Sequence, residues 1–597
     1  VDDPYFSSGG TEAARAAARE EDPFADGGLF GPAERFELLG GQDGGAGDPA
    51  TDFGLAPLSP SVFDLDPASS RHVLVRTSGP AFVTLYRLDV TTGAIRQIAD
   101  YPLDADRLML SDRQGVPRLA MPGSTNVAFP HRPRLERGPG ARLRGELATA
   151  LGLPAGAFDL APGNFFAHRA LPLAFDEKPG VLYFASNLGR DTYGIYSADL
   201  EQGVVTDLAL EHPKLDLIPR PPDAFVPAGT LVFDRHSRAL VGVRLADLRR
   251  TTRWLEPALQ AAQTRLEQAL PGRNVDILEW DRDRRRLLVF SNGSADPGRF
   301  HVFDTESARL SEFAQRAPWL DAGPALRQFR FEVAGPGGHD LAAQLTLPQS
   351  PRIMPAPIVV VCPANPWDRL PTDFQAETSA LARMGFAVLH YAGRGAWGRG
   401  VRHREALHAG YADAQLEDLL AVLDEVGRGF NLDTRRVGLV GSGHGGHLAL
   451  HALSAFPDRF RCAVALEPPI DLAAWLKRDD WETRDPANQL VRSAFGSAEW
   501  LRGRNLADAA GRFVKPSLVL SHPGEDGTWR RSTYLAAQAF ARRVASTHPE
   551  SRFQALSHDF AKGLPLAKAE VYGEIEHFLN THVYNFGVTI GEAVEVD

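Results

Sequence analysis

Between residues 56 and 322 the chain repeats a short pattern, in which an apolar residue followed by Asp precedes an apolar run. Phe63-Asp64 precedes Val73-Leu74-Val75, and Phe175-Asp176 precedes Val181-Leu182-Tyr183-Phe184. Phe233-Asp234 precedes Ala239-Leu240-Val241, and Trp280-Asp281 precedes Leu287-Leu288-Val289-Phe290. A second run ending in Asp often follows, as in Leu85-Tyr86-Arg87-Leu88-Asp89 and Phe300-His301-Val302-Phe303-Asp304. Short strands at spacings of about 40–50 residues are what propeller blades produce, because one blade is too small to bury its own face. The pattern predicts a β-propeller over 56–322, with a generic array of β-sandwich units as the other reading. The stretch 101–170 is poorly patterned, and Leu255 to Leu270 reads as an inserted amphipathic helix.

From residue 323 to 585 the periodicity changes. Apolar strands are expected at Pro357–Cys362, Gly385–Tyr391, Arg436–Val440, Cys462–Leu466, Ser517–Ser521 and Phe553–Leu556. Helical spacing fills gaps between them, as in Tyr411–Val426 and Gly446–Phe456. Continuous apolar strands alternating with helices predict a doubly wound, mostly parallel sheet covered on both faces. Residues 1–55, rich in Gly, Ala, Asp and Pro, read as an arm with one helix over Thr11–Glu21, and 586–597 as a tail.

Composition changes this picture little. The chain of 597 residues is 44% hydrophobic and 23% charged, within the ordinary globular range. Its net charge, 64 − 75 = −11, argues against nucleic acid or an anionic membrane as partner. No apolar run approaches the ~20 residues a membrane span needs. The start at Val1-Asp2-Asp3, without an initiator Met, reads as a mature or trimmed form. Cys362 and Cys462 are expected to be free, buried thiols; secreted, periplasmic and cytoplasmic compartments all stay open. The run Arg282-Asp283-Arg284-Arg285-Arg286 reads as a solvated hairpin turn.

The candidate chemistry centres on Gly441-Ser442-Gly443-His444-Gly445-Gly446, between the strand Val437–Val440 and a helix. In α/β-hydrolases a strand–turn–helix elbow reads G-x-S-x-G, with small flanking residues permitting the sharp bend. Gly441 and Gly445 are four apart, so the tip is Gly443, and Ser442 is off by one. Asp526 follows the strand Ser517–Ser521, and His558 follows Phe553–Leu556. An Asp that orients a His facing the tip is the acid–base half of a triad. At Gly443 it has nothing to deprotonate.

The chain from Ser291 onward resembles prolyl oligopeptidase-family serine peptidases of the acyl-peptide hydrolase or dipeptidyl-peptidase kind. The landmarks are Asp296-Pro297-Gly298, Pro318-Trp319, Leu345-Thr346-Leu347-Pro348, Pro366-Trp367, Arg394-Gly395, the elbow glycines, Asp526 and His558-Asp559-Phe560. The resemblance implies an α/β-hydrolase domain behind the propeller, a cavity between them that admits peptides, and no cofactor.

The departures cluster at the implied site. Gly443 stands where the family has its nucleophilic serine, and His444 where it has tyrosine. Its His-Gly-Gly-Pro loop reads Pro363-Ala364-Asn365-Pro366, its Arg-Gly-Ser reads Arg394-Gly395-Ala396, and Ser557 replaces the Gly before the His. By resemblance the oxyanion donors are the backbone N–H of His444 and one from the Ala364/Asn365 loop. Trp367, Arg394 and Trp397 are candidates for substrate contact, with packing or a structural ion pair as the alternative.

Glycine takes the positive-φ elbow geometry at little cost, so Gly443 is expected to relieve the turn while removing the attacking oxygen. Three explanations stay open: a natural pseudopeptidase that binds peptides, an active peptidase whose serine has been substituted, or a relocated nucleophile such as Ser442. A metal site using His444, His447 and His451 is a further alternative to simple packing.

Overall fold

The computed structural model describes residues 61–584 apart from 66–68, 70, 79–81, 103–107, 112–116, 122–133, 136–150, 154–169, 179, 206–209, 218–230, 247, 294–295, 321–325, 408–410, 473–503, 525–528 and 558–564. The arm 1–55, its helix and the tail 586–597 lie outside the described residues.

Five small sheets follow one another along the first half. They are β1–β4 (Ser61–Leu65, His72–Ser78, Phe82–Asp89, Ile95–Pro102), β5–β7 (Leu108–Ser111, Pro117–Met121, Arg134–Leu135) and β8–β11 (Ala170–Phe175, Val181–Ser186, Gly194–Asp199, Val204–Val205). Next come β12–β14 (Leu231–Phe233, Leu240–Ala246, Arg250–Trp254) and β15–β18 (Asn274–Trp280, Arg286–Gly293, Asp296–Asp304, Arg309–Gln315). Each is an antiparallel meander whose neighbours in sequence pair in space, the blade unit of a β-propeller. The first meander belongs to a smaller compact unit, and β5–β18 belong with the following domain to a larger one.

The recurring Asp has a local cause. At several of the described hairpins its carboxylate accepts backbone N–H groups two or three residues ahead, closing the turn as an Asx cap. Asp234 accepts from His236 and Ser237, Asp199 from Glu201 and Gln202, Asp89 from Thr91 and Thr92, and Asp304 from Ser307. In the arginine-rich turn the Asp281 carboxylate reaches further, accepting the N–H groups of Arg285 and Arg286, and Arg284 turns inward to pair with Asp234 and Glu256. The inserted helix spans Pro257–Ala269 and packs Leu259, Ala262 and Leu266 against Trp254, Val275 and Trp280.

The second half is one sheet of eight strands: β19 Arg327–Ala334, β20 Asp340–Leu347, β21 Ala356–Cys362, β22 Ala387–Ala392, β23 Leu432–Ser442, β24 Cys462–Leu466, β25 Ser517–Ser521 and β26 Arg552–Ala555. Its order is β19-β20-β22-β21-β23-β24-β25-β26, antiparallel as far as β22 and parallel from there on. Every residue of β21, β22, β24 and β25 is buried, which explains their unbroken apolar runs. On one face Ile358, Val360, Leu389 and Leu439 pack with Leu419 and Leu423 of the helix Tyr411–Gly429. On the other, Gly438 lies against Leu579 and Val583. The protein is thus an α/β-hydrolase with an N-terminal β-propeller domain. Both cysteines are free and buried, Cys362 closing β21 and Cys462 opening β24.

Candidate functional site

The parallel strands deliver the candidate chemistry at their C-terminal ends. β23 ends at Ser442, the helix His444–Ala455 begins two residues later, and Gly443 bridges them at φ 53°, ψ −121°. This is the bent strand–turn–helix geometry of a hydrolase elbow with residue 443 at its tip. The flanking glycines are demanded by contact. A Cβ on Gly441 would lie 2.2 Å from the Gly445 backbone, and one on Gly445 would lie 2.7 Å from the Cys362 carbonyl oxygen. Gly443 itself is uncrowded, since its nearest neighbour to an added Cβ is the Ala364 carbonyl oxygen at 3.8 Å. The turn therefore keeps its positive-φ form, which glycine adopts without strain.

The His444 side chain is buried. Its Nε2–H donates to Gln415 Oε1 at 2.8 Å, and Gln415 Nε2 donates to the Pro366 carbonyl at 3.1 Å. Burial holds the imidazole well below its usual pKa, so it is neutral near pH 7. The network ties the elbow helix to the loop after β21. His447 donates Nδ1–H to the Pro469 carbonyl at 2.7 Å, and burial pushes its pKa down to about 3. Among the described residues no three His, Cys, Asp or Glu side chains gather as a metal site, so the metal alternative lacks a donor set there.

The loop expected to supply an oxyanion donor is closed on itself. The Asp368 N–H donates to the Asn365 carbonyl at 3.1 Å, the bond of a β-turn with Pro366 at its second position. The Asp368 carboxylate in turn accepts the Asn365 backbone N–H at 2.7 Å and its side-chain Nδ2 at 3.2 Å. Ala364 and Asn365 are solvent-exposed.

The three candidates for substrate contact are embedded in packing. The Arg394 guanidinium bonds Asp418 at 2.8 Å, Glu417 at 2.8 Å and the Ala414 carbonyl at 2.7 Å, and its side chain is 12% exposed. Asp418 is fully buried; desolvation pushes its carboxyl up to about 6 against the pull of Arg394. Trp397 and Trp367 are buried, and the Arg404 guanidinium lies over the Trp397 ring at 4.5 Å. Arg394 is thus ion-paired, and both indoles are packed in the interior.

Asp526 and His558 lie outside the described residues. The strands that lead to them, β25 and β26, end side by side, with Leu556 N–H donating to the Ser521 carbonyl at 2.9 Å.

Asp368, Gln415 and Asp418 were not singled out from the sequence. For Asp368 a signal existed: Asn365-Pro366-Trp367-Asp368 is a turn tetrad with a capping side chain at its end. Nothing in the sequence marks Gln415 or Asp418, because each acts across a tertiary contact.

Residues 372–526 match the prolyl oligopeptidase family. The chain is 26% identical over 360 residues to a dipeptidyl aminopeptidase BIII of Pseudoxanthomonas mexicana, covering 58% of this chain and 50% of that protein. It is 30% identical over 144 residues to the acylamino-acid-releasing enzyme of Homo sapiens, 24% of this chain and 20% of that one. The chain thus spans at most about half the length of these relatives. In structure it is similar to a Mycobacterium tuberculosis puromycin-hydrolyzing peptidase, with a TM-score of 0.62 at 17% identity over 88% of this chain and 79% of that one. A puromycin hydrolase gives a TM-score of 0.57 at 17% identity over 88% and 77%.

Proposed function

We propose that the chain is a prolyl oligopeptidase-type serine peptidase that has lost its nucleophile and retains a peptide-binding role. The observation that carries this reading is the elbow itself: residue 443 sits at φ 53°, ψ −121° and brings no oxygen to the tip. In serine peptidases with the same triad logic, removing the nucleophile lowers turnover by about a million-fold. In this reading Asp526 orients His558, which has no hydroxyl to deprotonate. Ser442 gives no substitute, because it ends β23 in register with Leu466, one residue before the tip. The ligand class is a peptide or small acyl-peptide, supported by relatives named for releasing dipeptides and acyl-amino acids. No helix among the described residues is long and apolar enough to cross a membrane.

The test is labelling with a fluorophosphonate probe. The native chain should stay unlabelled, and Gly443→Ser should take up probe at that position. Stoichiometric labelling of the native chain would contradict the loss of the nucleophile, and an inert Gly443→Ser chain would contradict a surviving His558 base.

A further inference from the structure

We infer that Gln415 is a positioning residue: it holds the elbow helix and the loop after β21 at a fixed separation, and so sets the gap beside Gly443 where a ligand's peptide group lies. The inference rests on the reading above, in which residue 443 is the tip of a peptide-binding site. The Ala364 carbonyl oxygen forms one wall of that gap, 3.8 Å from a Cβ built at residue 443. The two hydrogen bonds of Gln415 fix each other's direction. The Pro366 carbonyl can only accept, so Gln415 turns its amide nitrogen to it, at 3.1 Å. The amide oxygen then faces His444 Nε2 at 2.8 Å, and an oxygen there can only accept, so that nitrogen carries the proton. Burial keeps the ring neutral, so its tautomer is Nε2–H. Gln415 is 1% exposed, and both bonds lie in the interior, away from competing water.

The helix that carries Gln415 is placed for this role. Between Ala414 and Asp418, about one turn of Tyr411–Gly429, it reaches the loops that leave three adjacent parallel strands. Ala414 and Asp418 hold Arg394 after β22, and Gln415 holds both Pro366 after β21 and His444 after β23. At the strand ends the elbow packs directly on this loop, where a Cβ on Gly445 would lie 2.7 and 2.8 Å from the Cys362 and Pro363 carbonyl oxygens. Ala364 and Asn365 are exposed, and the bond at Pro366 ties this stretch back to the elbow helix. Without it the Ala364 wall should shift relative to residue 443, and a misplacement of about 1 Å at a reacting centre costs about 10²-fold.

The experiment has two arms. The first compares hydrogen exchange, read by mass spectrometry, in the native chain and in Gln415→Met, which keeps the side chain's length and removes both bonds. Segments 362–368 and 441–447 should exchange about fivefold faster in the variant, the effect of one lost hydrogen bond, with 517–521 unchanged. The second measures fluorophosphonate labelling against probe concentration in the Gly443→Ser background. There the introduced hydroxyl attacks phosphorus, its proton passes to the histidine base, and fluoride leaves as the P–F bond breaks. Adding Gln415→Met should lower the maximal rate about tenfold or more, while the half-saturating concentration changes less than about threefold. Gln415→Glu, which keeps an acceptor for His444 and when ionised loses the donor to Pro366, should lower it less, and it carries the test if the methionine variant folds poorly. An unchanged maximal rate, or a loss confined to the half-saturating concentration, overturns the inference. If Gly443→Ser itself takes up no probe, the surviving triad half falls and the exchange arm decides: equal exchange in Gln415→Met and the native chain overturns the positioning role.

Discussion

The Gly443 N–H donates to the Leu466 carbonyl at 2.8 Å, pinning the elbow tip to the end of the neighbouring strand. The Gly443 carbonyl accepts the His447 N–H at 3.1 Å, so the same residue also starts the helix. Both bonds use backbone atoms, and the flanking glycines supply the clearance. The bend is thus set by β23, β24 and the helix, and does not depend on what residue 443 carries.

Substitutions along the elbow should therefore separate sharply. Gly443→Ser places a side chain in open space and incurs only the positive-φ strain, about 1–3 kcal/mol. Gly441→Ala and Gly445→Ala drive a Cβ to 2.2 and 2.7 Å from backbone atoms and should cost about 3 kcal/mol or more, because main chain must move. Urea unfolding midpoints of the three variants check the order.

Acid should destabilise the protein through its buried histidines. His390 and His403 are held down to about 4 and His447 to about 3, all chiefly by burial, and His444 lies well below its usual value. Unfolding lets each bind a proton below about pH 6.5, so stability is complete above that pH and falls as pH drops toward the folded values. The slope is about 1.4 kcal/mol per pH unit for each histidine. Glu377 and Asp418, raised by burial to about 7 and about 6, act with the opposite sign and offset part of it. Stability measured from pH 7 to pH 5 should decline, and His390→Gln, if it folds, should flatten the curve by about one proton.

The pair Arg404–Asp216, 2.9 Å apart and fully buried, joins the propeller side of the larger unit to the hydrolase domain. Asp216 also accepts the N–H groups of Tyr193 and Gly400. Asp216→Ala strands a buried guanidinium and should cost about 3–5 kcal/mol, read from unfolding midpoints. Asp216→Asn, which keeps an acceptor for the backbone, should cost less.

Arg394 should behave as a structural residue. Arg394→Ala removes the partner of fully buried Asp418 and should destabilise by about 3 kcal/mol. In the Gly443→Ser background it should leave KM for a peptide ester within about threefold. A large rise in KM with unchanged stability would restore the substrate-clamp role.

How much the sequence disclosed follows from the range of each interaction. The Phe-Asp repeat exposed the meanders because an Asx turn acts within three residues, as at Asp234 and Ser237. The unbroken apolar runs around Val359 and Val388 exposed the parallel sheet because both faces are covered. The elbow tip was legible from glycine spacing, since the close contacts of Gly441 and Gly445 leave no other residue type. The partners of His444 and Arg394 were not legible: Gln415 and Asp418 lie on a helix far along the chain and meet them only after packing. Exposure of Trp367 and Trp397 was equally hidden, because loop position says nothing about which side of the loop is covered.

With Gly443 at the tip, no oxygen nucleophile should act at the elbow of this polypeptide. Pre-steady-state hydrolysis of an activated p-nitrophenyl ester by the native chain tests it most directly. The expected result is no burst of p-nitrophenol and no turnover above a denatured control. A burst approaching one equivalent per chain, followed by steady release, would contradict it.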